Sequence, residues 1–349
     1  MIDTIKPLKR LFLVSCFLLL ASCNNSNERD WNISLQSLND PVEIIDVRKD
    51  FYSSMTLENF RKKYPFYLQE NVSDSTYQAQ RTDPAELEVN AAIDKIIPKI
   101  KLQEELTLLF QHIQHYFPKF KTPKVYLVNA MYFALPDENE RLQKVSSPIL
   151  YIADENQLFI PLDCFLGNGN KYYNSKEFYI ENYIQKSMNP ENILPKTALA
   201  ISQNVVPFDN SKKVFLNYIM YYGKQMLLQD AFLPNTSDAL KLGYTDDNID
   251  WCYSNEKNMW DYFIRNDYLY SDNDDLLQRF IYPAPFSKFF TADEDNQSVD
   301  LESPGQAGIW LGWQIMRKYA NTHQEENLAE ILANTNFQQQ LENANYKPE

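Results

Sequence analysis

Apolar residues recur at helical spacing along most of this chain, and in strand-like runs at only a few places in its first half. The clearest helix is Lys101–Phe117, where Leu102, Leu106, Leu109, Phe110, Ile113 and Phe117 share one face. A strand is predicted at Val42–Val47, then a short helix over Thr56–Tyr64 that Pro65 stops. Asp83–Ile97 reads as a helix of weaker periodicity, and Pro123–Val128 as a strand. Ile149–Ile152 and Leu158–Leu162 flank the polar stretch Ala153–Gln157, which predicts a hairpin. From Lys176 onward helices dominate, at 176–187, 190–204, 211–230, 245–265, 274–281, 303–321 and 324–342. Val214–Tyr222 is apolar on nearly all sides, so its helix belongs at the centre, with an interruption at Gly223-Lys224-Gln225. The pattern predicts an α/β (α+β) body, mostly helical, with a small sheet in the first half.

The helix from Ser303 to Tyr319 stands apart. Ser303 fits the N-cap and Pro304 the first helical position. The stretch holds Gly305, Gly308 and Gly312, three of only seven glycines in the chain. A helical glycine is worse than alanine by roughly 1 kcal/mol, so the helix carries about 2–3 kcal/mol of cost before it packs. The three glycines share a face with Ile309, Ile315, Met316 and Tyr319, which predicts close approach of another backbone.

The N-terminus changes the picture of where the body works. Lys6, Lys9 and Arg10 precede an apolar run from Leu11 to Leu20, the layout of a signal peptide too short to favour a spanning helix. Leu20-Ala21-Ser22-Cys23 matches a bacterial lipobox. Cleavage before Cys23 would leave its thiol to carry acyl chains of the palmitate kind; an ordinary signal peptide or an uncleaved anchor is the alternative. The expected division is a signal peptide over 1–22, a lipidated N-terminus and flexible tether over 23–34, and one compact domain over 35–349. The formal charge is −14, and losing residues 1–22 makes it −16, which argues against nucleic acid or anionic lipid as partners. The membrane contact expected is therefore the lipid on Cys23. Cys164 and Cys252 remain, either as one disulfide or as buried thiols.

Candidates for chemistry are few. His112 and His115 stand at i, i+3 on the Lys101–Phe117 helix and could share a metal, yet no third ligand lies on that helix. Surface histidines near a helix C-terminus explain them as well. Acidic clusters at Asp246-Asp247, Asp272–Asp275 and Asp293–Asp295 lack the central glycine and distal glutamate of a calcium loop, and read as caps and solvated turns. Nucleophile-elbow, phosphate-loop and dinucleotide-binding motifs are missing, and no cofactor is implied. The 23 tyrosines and 21 phenylalanines fit core filling, or a glycan-binding cleft.

Several short motifs read together carry more. They are Tyr64-Pro65-Phe66-Tyr67, His115–Phe120, Pro161–Gly167, Tyr221–Lys224, Ser237–Thr245 and Arg279–Ser287. With the 303–319 helix, their order resembles the gliding motility-associated lipoprotein GldB family of the Bacteroidota, over about Val42 to Tyr319. The resemblance implies a cell-envelope lipoprotein, facing the periplasm, that supports gliding motility and the associated type IX secretion machinery. It implies no catalytic residue, and it suggests the small gliding protein GldC as a partner. The family also looks distantly like zincin-type metallopeptidases, whose metal helix carries H-E-x-x-H. The matching helix here, Ile193–Asn204, has neither histidine nor carboxylate, so a degenerate zincin-like fold without the zinc chemistry is expected. A glycan- or peptidoglycan-binding envelope module and a cryptic envelope hydrolase using His112 and His115 are the rival readings.

Overall fold

A computed structural model describes residues 28–129, 148–174, 179–208, 213–293, 296–299 and 302–348. Cys23 lies outside them.

Strand β1 (Ile44–Asp46) runs into helix α1 (Val47–Phe51), and α2 (Leu57–Lys63) follows behind an N-cap at Thr56. Three helices come next: α3 (Asp74–Thr82), α4 (Pro84–Ile96) and α5 (Lys99–Tyr116). Asp83 closes α3 and caps α4, accepting from the backbone N–H groups of Ala85 and Glu86. The chain then returns to the sheet as β2 (Lys124–Val128), β3 (Leu150–Ile152) and β4 (Gln157–Pro161). The sheet order is β1-β2-β4-β3, with β2 parallel to both β1 and β4 and the β3–β4 hairpin antiparallel.

Both faces of this sheet are covered, and the alternation on β2 shows how. Val125 and Leu127 pack with Leu102, Leu106, Leu109 and Phe110 of α5 in the main core. Tyr126 and Val128 turn the other way, into a second core with Phe51, Phe60 and Tyr77.

The second half is helical: α6 (Asn182–Gln185), α7 (Ile193–Ser202), α8 (Phe215–Phe232), α9 (Asp238–Leu242), α10 (Asp246–Ser254), α11 (Glu256–Arg265) and α12 (Asp275–Phe280). A two-stranded hairpin, β5 (Phe290–Asp293) with β6 (Asn296–Val299), precedes α13 (Ala307–Thr322), α14 (Leu328–Ala333) and α15 (Phe337–Ala344). No helix among the described residues is long and apolar enough to cross a membrane.

Helices α8 and α13 form the centre. Gly223 does not interrupt α8. A Cβ there would collide with the backbone of Gly312, and one on Gly312 would collide with the carbonyl of Ile219. Each glycine makes room for the other helix. Gly308 faces the Phe280 carbonyl, which a Cβ would approach to 2.9 Å.

The start of α13 differs from expectation. Gln306, not Ser303, occupies the N-cap position, in the left-handed region at φ 64°, and Gly305 lies before the helix, tight against the Ala284 backbone. Ser303 Oγ donates to the Ser287 carbonyl at 2.6 Å, while Ser287 Oγ accepts from Ala307 N–H at 3.0 Å. A serine distant in sequence thus does the capping. Other long runs break at asparagines, whose side chains compete for backbone groups. Asn255 divides 245–265 and donates to the Trp251 carbonyl at 2.9 Å. Asn327 forms a capping box with Glu330 and Asn336 caps α15, dividing 324–342 into two helices. Of the predicted 176–187 helix, residues 176–178 lie outside the described residues, and within 179–187 only α6 is helical.

Candidate functional site

The same approach of α8 to α13 sets four charges together. Asp230 near the end of α8 accepts from Arg317 Nε at 2.8 Å and Nη2 at 2.7 Å, from Lys241 Nζ at 2.8 Å, and from Trp313 Nε1 at 2.8 Å. Arg317 also reaches Asp238, through Nη1 at 2.5 Å and Nη2 at 2.8 Å. Its guanidinium carbon lies 3.7 Å from the centre of the Trp313 ring. Tyr253 donates to the same Asp238 carboxylate. Burial alone would raise the Asp238 carboxyl, but the Arg317 guanidinium outweighs it and holds the group below the usual range. Two carboxylates meet two cations, so the cluster is neutral and its forked hydrogen bonds are charge-assisted.

This cluster lines a cavity of about 610 Å³ whose wall also includes Arg29, Trp31, Glu256 and Gln314. The N-terminal segment, expected as a tether through residue 34, is held from Arg29 onward. Arg29 N–H donates to Asn321 Oδ1 at 2.9 Å, and its guanidinium donates to the carbonyls of His323 at 3.0 Å and Glu326 at 2.5 Å, just past α13. Trp31 meets Tyr116 edge-on. These carbonyls at a helix end are natural acceptors for a cation.

The histidine pair gathers no such constellation. His112 is half-buried on α5, and burial lowers its pKa despite the Ala231 backbone, while His115 is exposed against Tyr116. Among the described residues, no group of three or more His, Cys, Asp or Glu side chains is placed to hold a metal ion. His323 stacks on Tyr319. Cys164 and Cys252 are separate buried thiols, each pushed up by burial. Two of the acidic clusters act locally: Asp246 and Asp247 sit in the first turn of α10, and Asn273 Oδ1 accepts from Asp275 N–H at 3.0 Å, while Glu294 and Asp295 of the third lie outside the described residues.

A family model described as gliding motility protein GldB matches residues 27–348. The chain belongs to the GldB family. Membership assigns it a role in gliding motility. No curated protein and no solved structure matches the chain. Within the family match lie the α8–α13 pair, the four-charge cluster and the cavity. No pattern in the sequence joins Arg317 and Trp313 to Asp230 or Asp238. The signal available was slight: Asp230 is the single acid of α8.

Proposed function

We propose that this GldB family member is a non-catalytic lipoprotein of the cell envelope, anchored through acylated Cys23, that supports gliding motility and the associated type IX secretion machinery. The observation that carries this reading is the family match beginning at residue 27, four residues after a lipobox cysteine. On this reading residues 35–349 work as one domain with a zincin-like layout, in which Ile193–Ser202 takes the place of the metal helix without a histidine or a carboxylate. A small gliding protein of the GldC kind is the partner proposed.

The docked Arg29–Trp31 segment adds a consequence. Glu28 is five residue steps from Cys23, and an extended chain spans at most about 3.6 Å per residue, so the cavity rim stands within roughly 18 Å of the bilayer. The cavity then faces the membrane to which the lipid holds the protein. Trp310 and Trp313 are fully buried, which disfavours a tryptophan-lined glycan cleft.

The test is a Cys23→Ser variant in cells. It is expected to leave the membrane fraction, and a deletion strain is expected to lose gliding and secretion. A variant that stays membrane-bound sinks the anchor, and normal gliding in the deletion strain sinks the role. A His112→Ala/His115→Ala variant is expected to restore gliding in full; failure would favour a hydrolase.

A further inference from the structure

The large cavity bordered by the N-terminal segment is closed by protein groups on one part of its wall and uncommitted on another. Asp230, Asp238, Lys241 and Arg317 are engaged with one another, and Arg29 gives its guanidinium to two backbone carbonyls. The volume, about 610 Å³, falls within the roughly 300–1,000 Å³ of a small-ligand site.

Helix α13 supplies a row of donors. Gln314, Lys318 and Asn321 follow at i, i+4 and i+7, so they stand on one face of the helix, and all three line the cavity. Asn321 Oδ1 accepts from Arg29 N–H at 2.9 Å, which fixes the amide and leaves Nδ2 as its free end. Lys318 makes no ion pair and no side-chain hydrogen bond, and neither does Lys347 near the C-terminus. Gln314 Nε2 is a buried donor without a hydrogen-bond partner, a costly condition for a polar atom.

The remaining wall offers rings. Tyr253 gives its hydroxyl to Asp238 and Tyr346 gives its own to Glu256, so neither hydroxyl is left for a ligand. Tyr253 meets Trp310 edge-on at 5.6 Å and Tyr346 meets Trp260 edge-on at 5.2 Å, which holds both rings in place. Trp31 and Pro234 add apolar surface. Burial raises the Glu256 carboxyl above its ordinary value, so the acid beside the rings is a weaker one.

We propose that this cavity binds a peptide segment in which a carboxylate adjoins an aromatic side chain. The carboxylate sits on Lys318 and Lys347, a main-chain carbonyl on Asn321 Nδ2, and the ring among Tyr253, Tyr346 and Trp31. The sign follows from what is uncommitted: two ammoniums and amide donors, against three acids that already accept from protein groups and one, Glu28, that is exposed. A saccharide fits less well, because its hydroxyls need acceptors and the Asp230 and Asp238 carboxylates are fully engaged. The carboxylate comes from a chain terminus or from an Asp or Glu side chain; both make the same contact. The inference holds whether or not Cys23 carries a lipid.

The experiment is calorimetric titration of the purified full chain with three acetylated tripeptides at constant ionic strength. They are Gly-Gly-Phe with a free terminal carboxylate, Gly-Asp-Phe amide, and the neutral Gly-Asn-Phe amide. At least one acid is expected to bind saturably, and which one does names the source of the carboxylate. The neutral peptide is expected to bind roughly 10- to 100-fold more weakly, the loss of one charge-assisted contact. Exchanging Phe for Ala in the acid that binds should weaken it by roughly 10-fold or more. Lys318 is exposed, so Lys318→Met is expected to keep the wild-type urea midpoint and to lose roughly 10- to 100-fold in affinity. Should that variant fail to fold, Lys347→Met carries the same test. No saturable binding of either acid, equal binding of the neutral peptide, tighter binding of cellobiose than of either acid, or full affinity in folded Lys318→Met each overturns the proposal.

Discussion

At the wall of the large cavity Asp230 and Asp238 answer Arg317 and Lys241 charge for charge, whereas a small concavity between α7 and α9 is lined by Lys186 and Lys196 beside Ser187 and Asn248. Both regions sit at the edges of the α8–α13 core, and both take charged groups partly out of water. They do so to different ends. In the first, each cation finds its counter-charge on another element, so the cluster ties α8, α9 and α13 together. In the second, burial lowers the Lys196 amine, and Lys186 donates to the neutral Asn248 side chain. A network of paired charges joins elements, whereas a buried amine is held at a cost that pH can read.

The largest effect should come from opening the closed network. Asp230→Ala removes the carboxylate that Arg317, Lys241 and Trp313 all use, leaving cations without their main partner. Breaking a buried pair from one side typically costs about 3–5 kcal/mol. Urea denaturation should show the loss as a lower midpoint. A change within about 0.5 kcal/mol, the ordinary range for an exposed position, would mean that the cluster does not hold the helices.

Next in size is Gly312→Ala. The added methyl meets the Ile219 backbone, which cannot rotate away, and overpacking of this kind costs about 1–3 kcal/mol or more. Because α13 must move to admit it, the forked contact of Arg317 with Asp230 should loosen too. The double variant with Asp230→Ala should then lose less than the sum of the two losses. Strict additivity would separate the glycine contact from the charge cluster.

Much of the frame behind this comparison was legible, and the reason is locality. The face of α5 repeats every turn, and the β3–β4 hairpin announces itself by two apolar runs around a polar turn. The crowding at Gly308 and Gly312 follows from an unusual residue in a helix, but their neighbour Gly223 read as a break because one glycine in an apolar run does not say whether it ends a helix or admits another. What escaped was assembled at a distance. Arg317 lies 87 residues from Asp230 and 79 from Asp238, and no periodicity links them. Ser287 caps α13 from another turn, so Ser303 and Pro304 looked like a start that the chain does not use. The small pocket joins α7, α9 and two turns, which no local pattern links.

The smallest effect expected is the one that most sharpens the contrast, and it is read through pH. Burial pushes the Lys196 amine down from its ordinary value to about 8. Its folded pKa lies below its unfolded one, so holding the charged form costs stability wherever both states are protonated, below about pH 8. Above that the unfolded chain binds the proton and the folded chain does not, so folding stability rises with pH until the unfolded amine also titrates, near 10.5. The neighbours able to titrate across the pocket are Lys186, Tyr183 and Tyr244. They are common to the wild type and to Lys196→Met, so the difference between the two proteins isolates Lys196. Urea midpoints measured from pH 7 to pH 10 should show Lys196→Met ahead at the low end, with the gap narrowing as pH rises. A gap that ignores pH would mean that burial does not hold the Lys196 amine below its ordinary value, and the contrast between the two regions would fall.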